Sequence, residues 1–447
     1  MQNREWLYPR IIKGKLYKYR SAVSYFFLAL LFAAPFIKLN GEQLILLNVL
    51  ERKFVFFGVI FWPQDFYLFV LALLTFIVFI VLFTVVFGRV FCGWACPQTI
   101  FLEMVFRKIE NWIEGDHVKQ RKLDESPLTL EKASKKTLKH GLFLLISFFI
   151  ANIFLAYFIG TSALTKIVTE PIAQHLSGFL SICIFTLVFY LVFSRMRELV
   201  CTVACPYGRL QGVLLDNQSI IVAYDYERGE PRGKKAKKEE NHLGDCIDCK
   251  LCVHVCPTGI DIRQGTQMEC INCTACIDAC DMVMEKIDRP LRLIGFKSED
   301  EIKYKKPFKL SKRIYGYSAV LLILMTVLGY LLLSRSDVKA TILRASGTLY
   351  QLRDQDKTVS NLYTAELVNK TSADLKFEIQ PDDPKATIQF IQKENELKYG
   401  GTVKITFFVV MPQQGIKKYK SDIGFKLLSA GKVIEHFNTT FIAPPND

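Results

Sequence analysis

Histidine is scarce in this chain, with six among 447 residues. His117, His140, His175, His242, His254 and His436 are each isolated in sequence. That isolation points to surface or helix-end roles and away from an imidazole-rich metal centre. His175, at an outer helix end, is the one placed to contact an outer metal or a quinone. Charge is missing from five windows: Ser21 to Ile37, Phe66 to Phe87, Gly141 to Thr165, Leu176 to Ser194 and Ile314 to Ser334. As helices they are about long enough to cross a hydrocarbon core of ~30 Å. They account for an apolar content of 51%, high for a soluble protein. A cleaved signal peptide over 1–35 is the rival reading of the first window, with a basic start and Ala33-Ala34; Pro35 and the apolar stretch beyond it argue against that. Cysteine is missing after Ser334, which excludes disulfides from the C-terminal segment.

Basic residues are plentiful, and a formal charge of +14 raises nucleic acid as a partner. Their placement excludes it and points to membrane lipid. Arg4, Arg10, Lys13, Lys15, Lys18 and Arg20 precede the first window, and Arg107, Lys108, Lys119, Arg121, Lys122, Lys132, Lys135, Lys136 and Lys139 lie between the second and third. Only Lys38, Arg52, Lys53 and Lys166 fall in the alternate loops. The positive-inside rule then puts the N-terminus in the cytoplasm. Five crossings leave 195–313 inside and everything after Ser334 outside. Of the 13 cysteines, all but Cys183 fall on that reducing side, and Cys183, inside a span, reads as a small buried hydrophobe.

Eight cysteines form the strongest signal: Cys246-x2-Cys249-x2-Cys252-x3-Cys256-Pro257, then Cys270-x2-Cys273-x2-Cys276-x3-Cys280. This is the ligand run of a bacterial two-cluster ferredoxin, in which the fourth cysteine of each run serves the other cluster. Cys246, Cys249, Cys252 and Cys280 are therefore assigned to one [4Fe–4S] cluster, and Cys256, Cys270, Cys273 and Cys276 to the second. Structural zinc normally draws on two well-separated pairs, which disfavours a zinc reading. Asp281 stands where a second proline is expected.

Two further pairs recur at matching places. Cys92-Gly93-Trp94-Ala95-Cys96-Pro97 closes the second window and Cys201-Thr202-Val203-Ala204-Cys205-Pro206 the fourth, so 21–97 and 141–206 look like two copies of one hairpin unit. Cysteines four apart share a helix face, and the proline disfavours helix at the cysteine before it. Brought together, Cys92, Cys96, Cys201 and Cys205 make a four-thiol site, suited to Cu(I), zinc or iron–sulfur, to dithiol redox chemistry, or to supporting another carrier.

The expected fold is a multi-domain membrane protein with about five transmembrane α-helices, a cytoplasmic two-cluster ferredoxin-like insert and an extracytoplasmic Ig-like β-sandwich. Its parts are a basic N-terminus (1–20), a first hairpin (21–97), a basic loop (98–140), a second hairpin (141–206), a basic tether (207–240), the 2[4Fe–4S] domain (241–290), a basic connector (291–312), a fifth helix (313–334) and the sandwich (338–447). The apolar loop Gly41 to Asp65 is expected in the membrane interface, or as a re-entrant segment lining a site. The tether, with Arg228, Arg232, Lys234, Lys235, Lys237 and Lys238, has a solvated composition and also suits docking of an acidic electron donor. From Val338 onward about seven period-two stretches separated by turn signals such as Asp382-Asp383-Pro384 predict the sandwich, with a docking or scaffold role.

With these residues in view, the chain resembles the CcoG/FixG family of cytochrome oxidase accessory proteins. The likeness is carried by the Phe61-Trp62-Pro63-Gln64-Asp65 run, the two Cys-x3-Cys-Pro motifs with Gln98-Thr99 and Tyr207-Gly208-Arg209, and the double ferredoxin run. The resemblance implies a bacterial inner-membrane cupric reductase serving biogenesis of a cbb-type oxidase. Its partners would be a cytoplasmic electron donor and copper-handling and oxidase-assembly proteins. Cys-x3-Cys-Pro pairs also resemble those of membrane electron carriers serving nitrous-oxide and nitrate reductases, so the motif alone does not select copper. Two alternatives stand beside cupric reduction: a carrier passing electrons to quinone or an outer acceptor, and a copper chaperone or assembly scaffold with structural clusters.

Overall fold

The computed structural model describes residues 6–39, 41–61, 65–233, 243–305, 309–334, 338–345, 349–353, 358–371, 373–391, 394–413, 419–429 and 431–444. Arg4, Trp62, Pro63, Gln64, Lys234, Lys235, Lys237, Lys238 and His242 lie outside the described residues. The chain divides into two compact units, one of 1–38, 43–52 and 69–327, the other of 39–42, 53–68 and 328–447.

The helices, all within the first unit but for the first residues of Phe66–Phe87 and the last of Lys312–Leu333, follow from apolar runs and from their caps. They are α1 (Lys15–Ala33), α2 (Phe66–Phe87), α3 (Val90–Trp94), α4 (Pro97–Ile100), α5 (Arg107–Ile113), α6 (His117–Glu125), α7 (Leu130–Ile159), α8 (Thr161–Thr169), α9 (Leu176–Leu191), α10 (Pro206–Leu214), α11 (Tyr226–Gly229), α12 (Leu251–His254), α13 (Ala275–Lys286), α14 (Glu299–Tyr304) and α15 (Lys312–Leu333). Asp116 and Thr129 cap α6 and α7 by accepting from the Lys119 and Lys132 amides, and Gly160, at φ 87°, ends α7. Among the described residues, four helical stretches are long and apolar enough to cross a membrane: Phe66–Phe87, Leu130–Ile159, Leu176–Met196 and Lys312–Leu333. The window 21–37 falls differently, because its helix α1 opens on Lys15, Lys18 and Arg20 and ends at Ala33.

Three stretches read as loop or tether carry structure. The basic loop 98–140 holds α5, α6 and the start of α7. Several of its cations are buried in ion pairs: Arg107 with Glu103 and Glu198, and Lys139 with Glu114 at 2.8 Å. Within 207–240 lie α10, α11 and the strand Ile221–Tyr224. That strand pairs antiparallel with Ile294–Lys297, inside the supposed connector, through Ile221↔Lys297 to Tyr224↔Ile294. The pairing joins segments about seventy residues apart, so local composition could not announce it.

In the second unit, Thr358–Asn369 pairs antiparallel with Thr402–Pro412 and with Val338–Arg344. A second sheet is ordered Glu378–Pro381, Lys420–Ser429, Lys432–Ile442. Alternate side chains of the long strands point inward, and Tyr363, Phe407, Phe425 and Phe441 are fully buried. The Tyr363 hydroxyl donates to the Thr440 carbonyl at 2.8 Å, tying the sheets together. Ten strands among the described residues from Val338 exceed the seven expected, the extra ones being two to four residues long. The apolar 41–65 loop contributes a hairpin, Lys53–Phe56 with Val59–Phe61, that buries Val55 and Ile60, and Asp65 makes a buried ion pair with Lys370 at 2.5 Å.

Candidate electron-transfer site

Both ferredoxin runs bend the same way. Asp248 and Lys250 have φ of 51° and 55°, and the residues at the matching places of the second run, Asn272 and Thr274, have 51° and 65°. Such left-handed turns, unusual for non-glycine residues, aim successive backbone amides into a concavity that favours an anionic occupant. Each run then enters a helix, α12 or α13. Cys280 and Asp281 fall inside α13, where a proline would break the helix. Asp281 instead accepts from the Arg292 amide at 2.8 Å.

The eight thiols frame two adjoining cavities. The first is lined by Cys246, Cys249, Cys252 and Cys280. The second is lined by Cys256, Cys270, Cys273 and Cys276 and shares Cys252 with the first. Among the described residues no three Cys, His, Asp or Glu side chains close on one metal ion. Each foursome therefore surrounds a cage wider than a single ion, with cysteine donors and inward amides, and this fits a [4Fe–4S] group. Burial pushes the Cys270 thiol up to about 12 and Cys252 up to about 11, so a cluster held by these thiols would have to displace their protons and supply the compensating positive charge.

The two membrane-end motifs are built alike. Cys96 (φ −64°, ψ 123°) and Cys205 (φ −77°, ψ 115°) are extended residues just before Pro97 and Pro206, each proline taking the first position of its helix, α4 or α10. Phe91 of the first motif packs edge-on against Tyr207 of the second, ring centroids 6.2 Å apart. The four thiols gather. Cys201 is pushed up to about 12, first by burial and then by the nearness of Cys96, Cys92 and Cys205. Burial also raises Cys92, with Arg89 and Gln211 pulling the other way.

This thiol group lies directly against the second ferredoxin run. A Cβ on Gly93 would strike the Ile271 carbonyl oxygen and lie 3.0 Å from the Cys273 Cα, so only glycine allows the approach. The Trp94 indole N–H donates to the Asn272 carbonyl at 3.3 Å, and the buried Arg20 Nε donates to the Gly93 carbonyl at 2.8 Å. On the other side, a cavity lined by Cys201, Gly208, Arg209, Met268 and Glu269 reaches the residue before Cys270. Gly208 is equally confined, its Cβ position being 2.5 Å from the Cys201 carbonyl oxygen.

Other singled-out residues stand apart. His175 Nε2 lies 2.5 Å from Glu170 Oε2 as a helix-end pair, and Cys183 is exposed on α9. Four residues had no motif to mark them. Arg89 and Gln211 touch the thiols. Arg107 donates to the Pro257 carbonyl at 3.1 Å, and Asp278 accepts from the amides of Leu16 and Tyr17. Arg89 had only one signal, a lone cation between an uncharged run and Cys92.

Fold and site together define a membrane iron–sulfur protein of the electron-transfer class, with a ferredoxin-like part and a C-terminal Ig-like domain. Comparisons agree with that class. Residues 196–299 match the 4Fe-4S dicluster domain, 69–115 a 4Fe-4S binding domain, and 328–444 the IG-like fold at the C-terminus of FixG. The chain is 36% identical to protein RdxB of Cereibacter sphaeroides, covering 82% of this chain and 80% of RdxB, and 35% identical to RdxA of the same organism, covering 76% and 73%. It is 37% identical to nitrogen fixation protein FixG of Rhizobium meliloti over 66% of this chain, an alignment spanning 57% of FixG. A solved FixG-related protein from Vibrio parahaemolyticus aligns at 15% identity with a TM-score of 0.21, over 24% of this chain and 97% of its own. The chain belongs to the FixG family.

Proposed function

We propose that this protein takes electrons from a cytoplasmic donor and uses them at Cys92, Cys96, Cys201 and Cys205 to reduce Cu(II) to Cu(I) for assembly of a cbb-type cytochrome c oxidase. The observation that carries the reading is the packing of Gly93 and Trp94 on the backbone of 271–273, which sets the thiol group beside the second cluster site. Cys246, Cys249, Cys252 and Cys280 would hold one cluster, and Cys256, Cys270, Cys273 and Cys276 the other; when bound, these groups supply one-electron storage. Cys249, the exposed member of the first set, marks the side open to a donor. At the thiols, one electron converts Cu(II) to Cu(I), and soft sulfur favours the product over the substrate.

The reading also places the ferredoxin part and the N-terminus in the cytoplasm and the sandwich in the periplasm of a bacterial inner membrane, with α1 as a fifth crossing. Support comes from both ends of α1. Near its start, the Arg10 amide donates to the His254 carbonyl at 2.8 Å. Near its end, the Tyr157 hydroxyl donates to the Leu31 carbonyl at 2.8 Å, and Gln43 reaches Thr161 at 2.7 Å, at the far end of α7.

The test is anaerobic purification with iron, sulfide and copper analysis, then addition of Cu(II) to the dithionite-reduced protein. Expected are about eight irons per chain, reoxidation of cluster absorbance and formation of Cu(I). A Cys92→Ser, Cys201→Ser double variant should retain the iron and lose copper reduction; full copper reduction by that variant overturns the thiol assignment. A second reading, favoured by the 4Fe-4S binding domain match over Cys92 and Cys96, makes the four thiols ligands of a third cluster in a carrier to quinone or an outer acceptor. It predicts about twelve irons and quinone-dependent reoxidation without copper.

A further inference from the structure

Arg89 is buried, 5% exposed, and among the described residues it has no carboxylate partner. A guanidinium cannot shed its proton, and an uncompensated buried cation is costly, so a counter-charge has to come from its surroundings. Its three nitrogens are spoken for by neutral groups or close packing. Nε donates to Gln211 Oε1 at 2.5 Å, Nη1 donates to the Met268 carbonyl, and Nη2 lies 3.2 Å from the place of a Gly208 Cβ. Gln211 is fully buried, and its amide nitrogen reaches Cys92 Sγ at 3.5 Å. The Met268 carbonyl stands two residues before Cys270. The cation is felt at both sulfurs, where it opposes the effect of burial. Thiolate sulfur on either side is thus the anionic chemistry within its reach.

We propose that Arg89, held by Gln211, is a positioning residue that acts as one counter-cation shared by the second cluster site and the membrane-end thiols. Negative charge added at Cys256, Cys270, Cys273 and Cys276 on reduction is stabilised by the same guanidinium that faces Cys92. The first cluster site, whose lining is Cys246, Cys249, Cys252 and Cys280, has Arg263 in that place, paired to Asp261 at 2.7 Å and to Asp248. A paired cation contributes little net charge, so Arg89, together with the buried Arg20 that acts on Cys273, sets the second site apart from the first electrostatically.

The proposal rests on the two-cluster part of the reading above and not on copper, so its test uses the cluster-loaded, full-length protein with copper omitted. Redox titration followed by electron paramagnetic resonance reads each cluster separately. Arg89→Gln should make the second cluster harder to reduce by roughly tenfold in the reduction equilibrium, a shift of about 59 mV to lower potential for a one-electron couple, and leave the first cluster in place. Arg89→Lys should recover most of the shift. Gln211→Glu, which keeps the shape and supplies the missing carboxylate, should reproduce the effect if Arg89→Gln does not accumulate. Equal shifts at both clusters, or none at either, overturn the proposal. A normal shift in a protein that does not reduce copper would sink the copper reading alone.

Discussion

At the residue scale, small side chains and single charges decide whether the redox parts touch. Gly93 sits between Cys92 and Cys96, and the atoms a Cβ would meet, Ile271 O, Asn272 C and Cys273 Cα, are all backbone and have little room to yield. Gly93→Ala should destabilise the protein by about 1–3 kcal/mol, the usual range for overpacking, and should lower iron retention at the second site. Thermal unfolding and iron analysis check both. Gly141→Ala, where nothing lies within 4 Å, is the control and should be neutral or slightly stabilising. The cysteine ligands and the prolines after Cys96 and Cys205 were legible because thiol spacing and the restriction before proline are local properties. The contact of Gly93 was not, since a glycine required for close approach looks the same in sequence as any other. Arg89 and Gln211 lay hidden for the same reason, one resembling a topology charge and the other carrying no signal.

At the element scale, helices that looked independent lean on the ferredoxin run. The first turn of α1 has Gly14 at its cap and no side-chain acceptor of its own. Asp278, between Cys276 and Cys280, supplies one from afar, accepting from Leu16 N at 3.1 Å and Tyr17 N at 2.7 Å. Asp278→Ala should cost about 1 kcal/mol, the typical value of a lost cap, with faster amide hydrogen exchange confined to the first turn of α1. Unchanged exchange at Leu16 and Tyr17 would count against the cap. The apolar helices were readable from their uncharged windows. The strand Ile221–Tyr224 was not, because it is four residues long, lies among charged neighbours and gains its partner only from 294–297. Tether-like composition and a short buried strand coexist there, and composition averages over both.

At the scale of the whole molecule, the proposed topology makes a prediction that labelling from one side of the membrane checks. Lys286 and Leu343 are both exposed, one on the last turn of α13 and the other on the strand Val338–Arg344. In intact cells, a membrane-impermeant maleimide should label Leu343→Cys and should reach Lys286→Cys only after permeabilisation. The reverse pattern would overturn the orientation. The sandwich itself was legible from period-two alternation, although the hairpin at 53–61 was not assigned to it. Asp65 and Lys370 are 305 residues apart, and their pairing is a property of the folded unit alone.

The Asp278 cap also bears on how such a chain is made. A ribosome delivers α1 first and Asp278 some 262 residues later, by which time four of the apolar segments have emerged. Synthesis runs at about 5–20 residues per second, so the opening helix waits on the order of tens of seconds for its acceptor. The acceptor arrives flanked by two of the cysteines that close the cluster sites. Seating α1 is in this way tied to completion of the cysteine run, and a chain that fails to close the run leaves its N-terminus unlatched, a difference that protease sensitivity of residues 6–16 would register.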